Sequence, residues 1–262
     1  MPAEMIATCL EQILGNQPGC YSVAIKDLSS GRQWLHNPCR MRSASLIKIF
    51  IMIEAFRQTA QGRLNLDEKT LVTDAARVGG AGPLEHAPAG TMKTWYDLVD
   101  LMIVESDNTA TNLLIDKLSM ADINTMITRL GYSDTVLRRK MMDFASAGQG
   151  RENYTTVLDI TSVLEKLYLR RCLDTASDDA MLAILRGQQD KCKIPLLLPK
   201  NTVMAHKTGE LDGAEHDAAI VYGPGCHYIL TVMTDGLPDA LSGQETIAKL
   251  SLAVYDELNK ID

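Results

Sequence analysis

A lysine set inside an apolar run constrains what this chain can fold into. Ser43-Ala44-Ser45-Leu46-Ile47-Lys48-Ile49-Phe50-Ile51-Met52-Ile53 is apolar on nearly every side except at Lys48. The composition predicts a helix over 45–60, with Ser45 as its N-cap, and a helix apolar all round is buried. Lys48 is then buried with it. Desolvation disfavours the ammonium form, which turns an inert cation into a base. Residues three apart share a helix face, so the Lys48 amine comes within reach of the Ser45 hydroxyl. A serine with a base one turn later is a candidate nucleophile. Ser-x-x-Lys is also a common chance pattern, and lysines at helix edges usually snorkel to water, so further motifs have to decide.

The rest of the chain is that of an ordinary globular protein. With 262 residues, 46% of them hydrophobic, it can bury a sizeable core. A formal charge of −7 without a long basic run argues against nucleic acid or an anionic membrane as partner and towards small molecules or peptides. The apolar run Ile49–Ile53 is too short to span a bilayer, and the first fourteen residues lack a signal peptide's basic start and apolar core, so the protein is expected either to be cytoplasmic or to have lost a signal. Six cysteines (Cys9, Cys20, Cys39, Cys172, Cys192, Cys226) are scattered without C-x-x-C spacing and read as mostly buried thiols. The five histidines (His36, His86, His206, His216, His227) show no metal-binding spacing, so neither a metal nor a cofactor is expected.

In chain order, residues 3–14 read as an amphipathic helix and Tyr21–Lys26 with Gln33–His36 as a hairpin. After the helix at 45–60, residues 62–91 read as loop. Helices follow over 96–118, interrupted at Ser106-Asp107-Asn108, and over 122–130, 156–169 and 177–187. Strands return at 203–206, 218–222 and 228–233, and a helix over 244–259 closes the chain. The expected fold is α/β (α+β): an antiparallel sheet formed by the N- and C-terminal strands, flanked by helices, with an all-helical domain inserted. The sheet-containing domain would comprise 1–42 and 195–262 and the helical domain 43–194, with the site in the cleft between them.

Ser106-Asp107-Asn108 and Lys207-Thr208-Gly209 complete a set with Ser45-x-x-Lys48. Singly, the first is a common N-cap and the second a common strand end. Jointly and in this order, the chain resembles the penicillin-recognising serine hydrolases, most closely the class A β-lactamases, along nearly its whole length. The resemblance implies that Ser45 attacks the substrate carbonyl and Lys48 takes its proton. It implies that Ser106 relays a proton to the leaving nitrogen, that Asn108 holds the acyl amide, and that Lys207 and Thr208 receive a substrate carboxylate. The backbone N–H groups of Ser45 and Glu210 would form the oxyanion hole, and Gly209 would let substrate lie along the strand.

Two departures from the family pattern bear on the fate of the acyl-enzyme. Counting back from Thr155-Thr156 puts Met141 where these enzymes carry the glutamate that activates water, and Ala145 where they carry an asparagine. Hydrolysis of the acyl-enzyme is therefore expected to be slow, unless a repacked loop brings Asp143 or Glu152 to the site. His216, beside Asp217, stands where the family has a carboxylate-binding arginine, so carboxylate recognition is expected to be weaker or pH-dependent. The reading is of a monomeric enzyme acting on a small-molecule β-lactam or acyl-peptide. D-amino-acid peptidase or esterase activity, or a penicillin-binding covalent sensor, are the alternatives.

Overall fold

The computed structural model describes residues 2–260. The chain opens with helix α1 (Pro2–Leu14), the strands β1 (Cys20–Asp27), β2 (Gln33–His36) and β3 (Arg40–Arg42), a single 3-10 turn over Ala44–Ile47, and helix α2 (Lys48–Ala60). Next come β4 (Lys69–Leu71), β5 (Met92–Thr94), α3 (Trp95–Val104), α4 (Asn108–Leu118), α5 (Met120–Arg129) and α6 (Phe144–Gly148). Strand β6 (Tyr154–Thr156), α7 (Val157–Tyr168), α8 (Thr175–Arg186), β7 (Val203–Leu211), β8 (Ala214–Tyr222), β9 (His227–Asp235) and α9 (Ala240–Leu258) complete it.

The strands from the two ends of the chain meet in one antiparallel five-stranded sheet in the order β2-β1-β9-β8-β7. Side chains alternate across its faces, as strand geometry requires. On β8 and β9, Ala219, Val221, Tyr228, Leu230 and Val232 pack with Ile6 and Leu10 of α1 and Ile247, Leu250 and Val254 of α9. From the opposite face, Ala218, Ile220, Ile229 and Met233 join a larger core built on α2, α3, α4 and α7. Coverage on both sides explains why the interior strands are buried without a break rather than in alternation. The mixed architecture is thus the one the sequence implies, with the intervening helices stacked against one sheet face.

Several local expectations are corrected. Helix α2 begins at Lys48 and its N-cap is Ile47, so Ser45 sits one turn earlier in the 3-10 segment and caps nothing. The stretch read as loop contributes β4, which pairs with β5, and β3 pairs with β6 to tie the chain before Ser45 to the Thr155-Thr156 segment. These three-residue strands are too short to show a period of two in sequence. All six cysteines are free, but only Cys172 and Cys226 are buried and the other four are half-buried. Among the described residues no helix is long and apolar enough to cross a membrane, and no group of three or more His, Cys, Asp or Glu is placed to hold a metal.

Candidate active site

Ser45 is held in a strained turn. Ala44 before it adopts a left-handed backbone (φ 46°), which costs a non-glycine residue about 1–3 kcal/mol and persists only where its surroundings fix it. Those surroundings are identifiable. The Ser43 amide donates to the Asn153 carbonyl at 2.8 Å, and β7 presses against the turn at Gly209. A Cβ at Gly209 would lie 3.1 Å from the Ser45 nitrogen and from the Ala44 Cβ, so any larger residue would have to push the turn and the strand apart by a few tenths of an ångström.

Lys48, completely buried, donates to the Ser106 carbonyl at 2.7 Å, to Ser106 Oγ at 3.2 Å and to Asn108 Oδ1 at 2.9 Å. The Ser45 hydroxyl is not among its partners in the described residues, in contrast to the contact that helical spacing suggested. The Lys48 amine is instead taken up by Ser106 and Asn108. Burial holds the Lys48 amine well below the usual lysine range, the nearby Lys207 charge pushes it further down, and Asp107 opposes both.

Ser106 stands in the break between α3 and α4 and is itself left-handed (φ 54°). Asp107 makes that break stable: one carboxylate oxygen caps α4 at the Ala110 amide (2.7 Å) and the other accepts from the Leu84 amide (2.8 Å). The Ser106 hydroxyl also receives the Lys207 amine at 3.1 Å, so it lies between two lysines. Lys207 is fully buried on β7, and burial pushes it down to about 7 against the opposing charge of Asp217. Asp217 in turn is held by His206 at 3.1 Å and by the Ile194 amide at 3.1 Å.

A cleft of about 330 Å³ opens over these groups, lined among others by Ser45, Ser106, Asn108, Thr208, Gly209 and Glu210. Strand β7 is the last strand of its sheet, so its outer edge borders the cleft. Lys48 and Lys207 lie beneath the floor and reach the cleft through Ser106. The Glu210 side chain does not point freely into it, because Lys193 binds its carboxylate at 2.7 Å.

His216 is placed differently from expectation. It is fully buried, its Nε2 lies 2.8 Å from the Arg42 carbonyl and its Nδ1 accepts from the Thr234 amide at 3.1 Å. Both ring nitrogens are occupied and the residue does not line the cleft, so it offers a substrate carboxylate no donor. Burial also keeps it below the usual histidine range, which favours the neutral ring.

The cleft wall is apolar where the resemblance places a water-activating glutamate. Met141 lines the cleft together with Met142 and Phe144, whereas Ala145 does not. Asn112 clamps the Met141 backbone from both sides, accepting from its amide at 2.8 Å and donating to its carbonyl at 3.1 Å. Neither rescuing carboxylate is free. Asp143 caps α6 at the Ser146 amide (2.9 Å), and Glu152, though at the cleft wall, is paired with Arg139 at 2.8 Å. Asn153 adds a clamp of its own, accepting from the Arg138 and Arg139 amides at 2.7 and 3.0 Å. Sequence reading missed Asn112 and Asn153. Asn112 falls one helical turn after Asn108 and shares its face, a spacing that could have flagged it.

A serine at the cleft beside the edge strand, with a buried lysine and a second serine held between two amines, fits a serine hydrolase of the β-lactamase type. The chain belongs to the β-lactamase enzyme family, which it matches over residues 5–258. It is 31% identical to the solved β-lactamase of Sphaerobacter thermophilus, covering 99% of this chain and 98% of that one with a TM-score of 0.90. The extended-spectrum β-lactamase PER-1 of Pseudomonas aeruginosa is 23% identical, over 96% of this chain and 87% of its own. PBP-A is 26% identical with a TM-score of 0.88, over 97% of this chain and 95% of its own. A mutant of PBP-A has been solved as an acyl-enzyme complex with penicillin G.

Proposed function

We propose that this protein captures β-lactams or related acyl amides as an ester on Ser45 and releases the acyl group slowly. The observation that carries the reading is the burial of Lys48 against Ser106 and Asn108, with its amine held towards the neutral form. A neutral amine accepts the Ser45 proton as Oγ attacks the carbonyl, and the backbone N–H groups of Ser45 and Glu210 receive the oxyanion. Ser106 accepts a proton from Lys48 and gives its own to the leaving nitrogen as the C–N bond breaks. Asn108 orients the acyl amide, and Lys207 with Thr208 receives the carboxylate. The site lies between the sheet unit (1–42 and 195–262) and the helical unit (43–194), and the enzyme acts as a monomer.

Release requires a base that holds a water against the ester. Met141 offers only a thioether, a weak acceptor that takes no proton at neutral pH. Asp143 and Glu152 are committed elsewhere. The penicillin G adduct of the PBP-A mutant supports the covalent step for a relative of this fold. The open edge of β7 also suits an extended peptide, so acyl-D-Ala-D-Ala donors are expected to reach the same serine.

Intact-protein mass spectrometry after mixing with benzylpenicillin tests both halves. One penicillin mass should appear on the wild type and persist, and none on Ser45→Ala. An adduct on Ser45→Ala would sink the assignment, and rapid return to the unmodified mass would sink slow release.

A further inference from the structure

The β1–β2 hairpin holds a feature that the hydrolase reading leaves unused. Its register sets Val23 opposite His36 and Lys26 opposite Gln33. Carried three residues beyond Val23, that register puts Cys39 opposite Cys20. Strand pairing stops at His36, because Asn37 turns left-handed (φ 43°) and Pro38 carries no amide hydrogen. The chain nonetheless stays against β1. The Cys39 amide donates to Ser22 Oγ at 3.4 Å, and Ser22 shares the Cys20 face of the strand. The Asn37 amide group donates to Cys20 Sγ at 3.1 Å and to the Tyr21 carbonyl at 3.4 Å. Both thiols are half-buried and therefore accessible to a small reagent.

We propose that Cys20 and Cys39 form a reversible disulfide by exchange with a low-molecular-weight disulfide of the glutathione type. The Cys39 thiol lies within side-chain hydrogen-bond reach of the Cys20 thiol, which puts the two sulfurs beside one another. One protein thiolate attacks a sulfur of glutathione disulfide, giving a mixed disulfide and one glutathione thiolate. The second protein thiolate attacks the protein sulfur of that mixed disulfide and expels the second glutathione. The protein loses two hydrogens and two electrons, and glutathione disulfide becomes two thiols.

Three of the other four cysteines are poor competitors. Cys172, Cys192 and Cys226 are pushed up to about 12, chiefly by burial, which leaves them almost wholly as unreactive thiols. Cys39 is also raised, by burial and then by the neighbouring Cys20 thiol, so exchange proceeds best at mildly alkaline pH. The bridge would close a loop of roughly 20 residues and restrict the unfolded chain. It would also fix the strand that enters Ser45. Cys20 pairs with Asp235 across β1 and β9, and Asp235 holds Arg42, three residues before the nucleophile, at 2.6 Å.

The test treats the folded protein with glutathione disulfide, quenches with acid, and alkylates in denaturant with N-ethylmaleimide. Labels should fall from six to four, with peptide mapping finding Cys20 linked to Cys39, and the melting temperature should rise by several degrees. Cys39→Ser should carry glutathione on Cys20, form no bridge and show no rise. Six labels on the wild type, a stable glutathione adduct without closure, or a bridge to any other cysteine would each overturn the proposal.

Discussion

Lys48 and Lys207 direct their amines at one hydroxyl, that of Ser106, from 3.2 and 3.1 Å. Two cations cannot share such a buried acceptor cheaply, and the environment resolves the conflict by lowering both amines from the ordinary lysine range. Burial lowers Lys48 well below its usual range, which suits it to the proposed role of base. Lys207, near 7, keeps its charge in acid and loses it as pH rises.

Acylation by an anionic penicillin should therefore decline as pH climbs from about 7 to 9, because the free enzyme loses the Lys207 charge. Burial holds Lys48 towards the neutral form as well, so the arginine variant is what isolates the Lys207 contribution. Lys207→Arg should remove the alkaline limb, since a guanidinium stays charged. The readout is the second-order rate of adduct formation, and an unchanged limb in the arginine variant would separate the decline from residue 207.

The same burial has a consequence for stability. Lys207 has a folded pKa of about 7 and an ordinary unfolded one, so between the two the unfolded chain binds more protons. Stability from this group consequently rises with pH from about 7 to 10. In denaturant melts the wild type should gain on Lys207→Met across that range.

Placing a carboxylate at position 141 should turn capture into turnover. Asn112 binds the Met141 amide and carbonyl, which Met141→Glu retains, although the variant gives up the packing of the buried methionine. General bases contribute about 10²–10⁴-fold, and the gain in deacylation should sit at or below the lower end because Ala145 supplies no second water ligand. Decay of the penicillin adduct measures it.

Glu152 is read as structural. It is largely buried with Arg139, and removing one member of such a pair costs on the order of 3 kcal/mol. Glu152→Gln should lower the melting temperature and leave the decay of the acyl-enzyme unchanged. A fall in decay rate at equal folding would identify Glu152 as a base.

Gly209→Ala should slow acylation, by less than the roughly 100-fold cost of a 1 Å misplacement of reacting groups, because the contact calls for a shift of only a few tenths of an ångström; the rate of adduct formation measures it. The added methyl meets the Ser45 amide at 3.1 Å and displaces β7 from the oxyanion position.

Most of this architecture was legible because it rests on patterns that sequence carries. The interruption at Ser106-Asp107-Asn108, the strands at both ends and the buried lysine emerge from periodicity and chemistry. What escaped was local geometry. Ala44 and Ser106 are left-handed without being glycine, so no residue type announces them, and the 3-10 turn that carries Ser45 looks like helix in composition. His216 was matched to an arginine by position, but its ring is taken up by the Arg42 carbonyl and the Thr234 amide, partners distant in sequence. Asn112 and Asn153 act on backbone atoms far along the chain, which side-chain motifs do not encode.

The clamp of Asn112 on the Met141 backbone separates two properties that could have been locked together. The backbone contacts of the loop are made by atoms that any residue at position 141 would carry. If slow release holds as proposed, each protein molecule would consume one β-lactam, and the amount of protein rather than its turnover would set how much is removed.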